Sequence, residues 1–133
     1  MKKNLLMILA VLAVLVFLQR VFHQVEVTRE TLHDVIYMID DGGQGAYLAA
    51  GLTYINSSGG TQQEDFNGMD HHLLGHFEIE VQRVSGSPVY ISAQLKDEFQ
   101  DTVHVAIFVD GKLLQEASSE GTYSIATASG SVQ

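Results

Sequence analysis

Over HFEIEVQR, residues 76–83, apolar Phe77, Ile79 and Val81 alternate with polar Glu78, Glu80 and Gln82. A period of two puts successive side chains on opposite faces of an extended chain. Such a segment must lay one face on a core and show the other to water. The same grammar recurs along the chain. Val103, Val105, Ile107 and Val109 form a face over TVHVAIFVD, and Leu52, Tyr54 and Asn56 form one over YLAAGLTYIN. Val35, Tyr37 and Ile39 alternate with Ile36 and Met38. Both faces of that segment are apolar, so it reads as a central strand. Val89 to Leu95 is a further strand, and Tyr123, Ile125 and Thr127 mark the last one.

Turn signals separate these runs. They are Asp40-Asp41-Gly42-Gly43, Ser57-Ser58-Gly59-Gly60, Ser85-Gly86-Ser87-Pro88 and Asp110-Gly111. The last is the strongest, because a type I′ hairpin needs φ > 0 at both central residues. The spacing predicts an all-β chain of about seven or eight strands, a β-sandwich or small barrel. Helices do not alternate with strands, which argues against a Rossmann-type or TIM-type core.

Ahead of this lies a different signal. Lys2 and Lys3 precede an unbroken apolar run, Leu5 to Leu18, closed by Gln19 and Arg20. No small-x-small cleavage pattern follows it, so the run is expected to stay as a signal anchor. Residues 4–22 as a helix would be roughly 28 Å long, near the ~30 Å of a hydrocarbon core. The basic residues place the N-terminus in the cytoplasm and the rest of the chain outside it. The expected organisation is an anchor over 1–23, a linker over 24–34 and an extracytoplasmic β-sandwich domain over 35–133. Cleavage of the leader is the alternative.

Composition narrows the partners. Lys and Arg number 7 against 16 Asp and Glu, a formal charge of −9. That balance argues against nucleic acid, which requires a basic surface. Cysteine is absent, so disulfides, thiolate metal sites and a cysteine nucleophile are excluded.

The run VYISAQLKDEFQDTVHVAIFVDGKLLQEASSEGTYSIATASG (Val89–Gly130), with GLTYINSSGGTQQ (Gly51–Gln63) upstream, resembles the small mycobacterial membrane proteins (MmpS type) and their wider bacterial relatives. The likeness spans roughly residues 48–132. It implies one membrane anchor and one immunoglobulin-like sandwich, in the bacterial plasma or inner membrane with the domain periplasmic or extracellular. It also implies an accessory role beside an RND-type transporter. The Pro-Trp pair frequent in that family after the first hairpin is missing from FNGMDHHLLGH (Phe66–His76); if that pair contacts the transporter, its absence implies a different partner. Tyr90, Phe108 and Tyr123 are expected to supply core area, and Thr127, Ser129 and Ser131 a solvent-facing edge.

Few residues suggest chemistry. His71, His72 and His76 follow Asp70. His72 and His76 could share a face and bind a metal, though a polar loop is the favoured reading. The Asp40–Gly43 run lacks the alternating ligands and terminal Glu of a calcium loop, and reads as a turn. Glu78 and Glu80 share a strand face without an implied cleft. No G-x-S-x-G elbow or phosphate loop occurs. No enzyme and no cofactor is therefore expected. Asp97, Glu98 and Asp101 are candidates for an acidic contact with a basic partner. The reading is a non-enzymatic accessory or assembly subunit that binds an integral membrane protein and sits in the bilayer through its N-terminal helix. Alternatives are a periplasmic metal- or ligand-binding module using His72 and His76, and a structural subunit of a large envelope complex.

Overall fold

The computed structural model describes residues 12–17, 19, 30–43, 48–67, 75–96, 98 and 102–133. Eight strands follow one another: β1 (Leu32–Asp40), β2 (Ala49–Ile55), β3 (Thr61–Asn67), β4 (His76–Val84), β5 (Pro88–Leu95), β6 (Thr102–Val109), β7 (Lys112–Glu120) and β8 (Ile125–Ser131). They form two antiparallel four-stranded sheets, ordered β4-β1-β6-β7 and β3-β2-β5-β8.

Alternation decides which side chains meet between the sheets. Val35, Tyr37 and Ile39 of β1 are fully buried, as are Val103, Val105 and Ile107 of β6. Leu52 and Tyr54 of β2 and Ile91 and Leu95 of β5 close the core from the other sheet. Strand β1 lies between β4 and β6, so neighbours also half-bury its outward Ile36 and Met38. That accounts for its two apolar faces.

Two buried tyrosines keep their hydroxyls satisfied. Tyr37 donates to the Ile55 carbonyl at 2.8 Å, and Tyr54 donates to Glu64 Oε1 at 2.9 Å. Burial and the Glu64 carboxylate push the Tyr54 phenol up to about 12. Arg83 plugs one end of the core. Its guanidinium donates to the carbonyls of Asn56, Ser57 and Pro88 at 3.3–3.5 Å.

The two sides of the sandwich close differently. Phe66 of β3 stacks on Phe77 of β4 with ring centroids 4.1 Å apart. On the other side, β7 carries a bulge at the Ile107/Phe108 step of its pairing with β6. The bulge turns Leu114 onto Gly130 of β8, where a Cβ would lie only 2.9 Å from Leu114 Cδ2.

The ends are also unlike. Thr31 enters beside the tight turns: Ser85 N–H donates to the Thr31 carbonyl at 3.1 Å, and Gly86 N–H to the Val132 carbonyl at 2.6 Å. The Asp110-Gly111 turn is at this end with φ of 49° and 77°, the type I′ signature read from the sequence. Strands β1, β5 and β7 finish at the opposite end, where β2, β6 and β8 begin.

Several expectations change. Strand β1 starts at Leu32, so residues 32–34 belong to the domain and not to a linker. His33 Nδ1 pairs with Asp110 Oδ2 at 2.7 Å and Asp34 N–H donates to Asp110 Oδ1 at 3.0 Å. These bonds hold the early start. Tyr123 is not in the core. It sits half-exposed in the turn before β8 with φ of 56°. Phe108 and Tyr90 point outward and are only half-buried. Among the described residues the buried core aromatics are Tyr37, Tyr54 and Phe66. Thr127, Ser129 and Ser131 do lie exposed on the edge strand β8. Near the N-terminus residues 12–17 are helical with exposed apolar side chains. No helix among the described residues is long and apolar enough to cross a membrane. Most of the segment 1–23 lies outside the described residues.

Candidate functional site

The registers of β1 with β4 and β6, and of β6 with β7, set side chains in rows across the outer face of one sheet. The first row is His76, Asp40, His104 and Ser118. The second is Glu78, Met38, Ala106 and Glu116, and the third is Glu80, Ile36, Phe108 and Leu113. Each row crosses the four strands in order. The centre of this face is therefore apolar, with Ile36, Met38 and Phe108 half-buried and Leu113 half-exposed. Glu78 and Glu80 border it along β4, and Glu116 borders it along β7.

Charge is divided between the two outer faces. This one carries Asp34, Asp40, Glu78, Glu80, Glu116 and Glu120. The outer face of β3-β2-β5-β8 carries one carboxylate among the described residues, Asp65, and Lys96 neutralises it. That face otherwise mixes the apolar Ile55, Tyr90 and Ile125 with uncharged polar groups, among them Ser92 and Thr127, whose hydroxyls bond at 3.0 Å. Alternation explains the division, because every acidic residue of β1, β4 and β7 falls on the outward phase.

His104 organises one end of the acidic face. Its Nδ1 lies 2.9 Å from Asp40 Oδ2, and its Nε2 lies 3.1 Å from Glu116 Oε2. A carboxylate only accepts, so both ring nitrogens donate and the imidazole is cationic in this arrangement. Burial opposes that charge, but the hydrogen bonds and charges of Asp40 and Glu116 outweigh it, and the pKa is raised above 6.5. With both nitrogens engaged, His104 offers no lone pair to a metal. The neighbouring depression, about 580 Å³, is lined by Asp40, Asp41, Gly42, Gly75, His76 and His104.

The structure sorts the expected site residues. His76 begins β4, exposed, with Nε2 3.0 Å from Glu78 Oε1. His72 lies outside the described residues, so their pairing falls beyond what the fold describes. Among the described residues no three His, Asp or Glu side chains form a metal-binding group. The Asp40–Gly43 run is a turn: Gly42 N–H donates to Asp40 Oδ1 at 2.7 Å and Gly43 N–H to Asp41 Oδ1 at 3.0 Å. Glu98 is exposed in the segment after β5. Asp97 and Asp101 lie outside the described residues.

Sequence reasoning found Glu78 and Glu80 as one face. It missed Asp40, His104 and Glu116 as a unit, because they come from three strands and only the register joins them. In comparisons with known proteins, no family model and no curated relative matches the chain. The fold itself defines the class, an antiparallel two-sheet β-sandwich with one acidic outer face.

Proposed function

We propose that this protein is a non-enzymatic, membrane-anchored accessory or assembly subunit, whose extracytoplasmic β-sandwich binds another membrane protein. The observation that carries the reading is the outer face of β4-β1-β6-β7. Its apolar centre, Ile36, Met38, Phe108 and Leu113, with a rim of carboxylates, has the layout of a protein interface. Its sign selects a basic partner surface.

The strand order supports an immunoglobulin-like sandwich. The order β3-β2-β5-β8 follows the C′-C-F-G pairing of that fold, and β4-β1 follows its E-B pairing. One departure is that β6, from a later hairpin, takes the place of the first strand beside β1.

An anchor in the same bilayer strengthens docking through this face by raising effective concentration. The chain enters the sandwich at the tight-turn end and Glu98 stands at the other, about 27 Å away along β1. The apolar run at Leu5–Leu18 supplies the anchor in this reading, with the N-terminus cytoplasmic. The resemblance to the MmpS type makes an RND-type transporter the first partner class to examine.

The test is a crosslinked detergent capture of the full-length protein from its native membrane, followed by mass spectrometry. One integral membrane protein at near-stoichiometric yield is expected. Recovery of a soluble, shortened chain alone would remove both the anchor and the accessory role.

A further inference from the structure

We infer that the edge of β4, which pairs with no second strand among the described residues, takes up a partner strand in which basic and apolar residues alternate. This rests on the binding role proposed above and names how the partner docks. Three observations on β4 lead to it.

First, β4 pairs only with β1 among the described strands, and it does so residue for residue from His76 to Val84 without a bulge. The edges on the other side are closed: β7 carries a bulge and starts at Lys112, and Leu114 packs over Gly130 of β8. Natural sheets blunt their edges with bulges, Pro and Lys to prevent strand addition, and β4 has none of these, its own charges being Glu78, Glu80 and the inward Arg83. Strand β3 is equally regular, so the side chains beside β4 decide between the two edges.

Second, the hydrogen-bonding phase is fixed. Gln82 N–H points away from β1 and donates to Ser57 Oγ at 3.1 Å. In an antiparallel pair the outward phase recurs every second residue. The N–H and C=O groups of His76, Glu78 and Glu80 therefore face outward in the same way, and can pair with an incoming strand.

Third, the side chains beside that edge state what the strand must carry. Phe77 and Ile79 point inward but remain partly exposed, so the incoming strand lays apolar side chains on them. Glu78 and Glu80 are exposed on the outer face, where its alternate side chains pair with them if basic. A second copy of this chain is the wrong occupant, because antiparallel β4–β4 pairing would set these carboxylates against each other.

The test uses the full-length protein in non-ionic detergent and a capped peptide alternating lysine and valine, with a glutamate-for-lysine twin. NMR should show amide shifts centred on Glu78 and Glu80 with the lysine peptide only. Glu80→Pro removes an N–H that the native ladder does not use, a position where edge strands tolerate Pro. It should keep the fold and weaken the peptide at least about tenfold. Glu78→Lys with Glu80→Lys leaves the backbone intact and should transfer binding to the glutamate twin. No shifts on β4, equal binding of both peptides, or unchanged binding by both variants would overturn the inference. The carboxylates would then serve only to keep strands off. A membrane partner captured from native membranes in that event would leave the accessory role standing, with docking elsewhere.

Discussion

His104 holds two carboxylates from two other strands, so its charge is tied to the folding of the sheet. Its folded pKa is raised, since the Asp40 and Glu116 hydrogen bonds outweigh the burial that opposes them. A raised value contributes stability that is full below the unfolded value of about 6.5 and fades as pH rises through the folded value. His104→Gln is therefore expected to cost more stability near about pH 5.5 than near about pH 8.5 in urea titrations. Equal costs would contradict this. Asp110 behaves oppositely. The His33 hydrogen bond, with the Asp34 N–H, lowers its pKa, so its contribution is present above the unfolded value and fades on acidification. Tyr123 carries strain. A non-glycine residue in the left-handed region costs about 1–2 kcal/mol, and its half-exposed ring offsets little of that through packing. Tyr123→Gly should raise the urea midpoint, by up to about 1 kcal/mol of stability. A loss would mean that the ring packs more than its exposure indicates. At this scale the inward apolar residues were legible from period two alone. The aromatics were not, because alternation gives the phase of a strand and not which phase faces the core when both are apolar. Phe108 and Tyr90 fell on the outward phase.

Among the elements, β7 shows what one extra residue does. The bulge opposite Ile107/Phe108 shifts the side-chain phase of β7 and brings Leu114 over Gly130. The glycine is there because a side chain would meet Leu114. Gly130→Val should cost about 1–3 kcal/mol by overpacking, measured by thermal unfolding. Restoring room with Leu114→Ala in the same chain should recover part of the loss, and an absence of recovery would place the cost elsewhere. The Asp110-Gly111 turn was fully legible, since the dipeptide permits the required φ values. The bulge was not, because it shows only as a mismatch between two strands. The β-type signals begin at about Leu32, but residues 32–34 read as linker for a similar reason. His33 and Asp34 are polar, and what keeps them in the strand is Asp110, more than seventy residues away.

For the whole molecule, two sheets share one core, so a charge placed there affects both. Val35→Asp or Ile107→Asp should unfold the domain, because a buried unpaired carboxylate costs several kcal/mol of a total of about 5–15. Loss of the near-UV signal by circular dichroism would show it. A folded variant would mean that the core relaxes around the charge. The all-β class was readable from turn spacing and alternation. The sheet order was not, because strands β4, β6 and β8 find partners far along the chain and no local signal names them. The acidic face followed the same rule. Its residues were visible one by one, but their gathering on one side depends on that order. His72, Asp97 and Asp101 lie outside the described residues, and the proposed interface is built from β1, β4, β6 and β7.

The most direct test of the account compares capture by three full-length proteins from the native membrane. These are the wild type, Glu78→Lys with Glu80→Lys on the acidic face, and Ser129→Lys on the opposite face. All three should melt within a few degrees of one another, since every substituted side chain is exposed. The wild type and Ser129→Lys should recover the same membrane protein in equal yield. The charge-reversed face should recover about a tenth or less. Equal recovery by all three would contradict the claim that this face binds the partner.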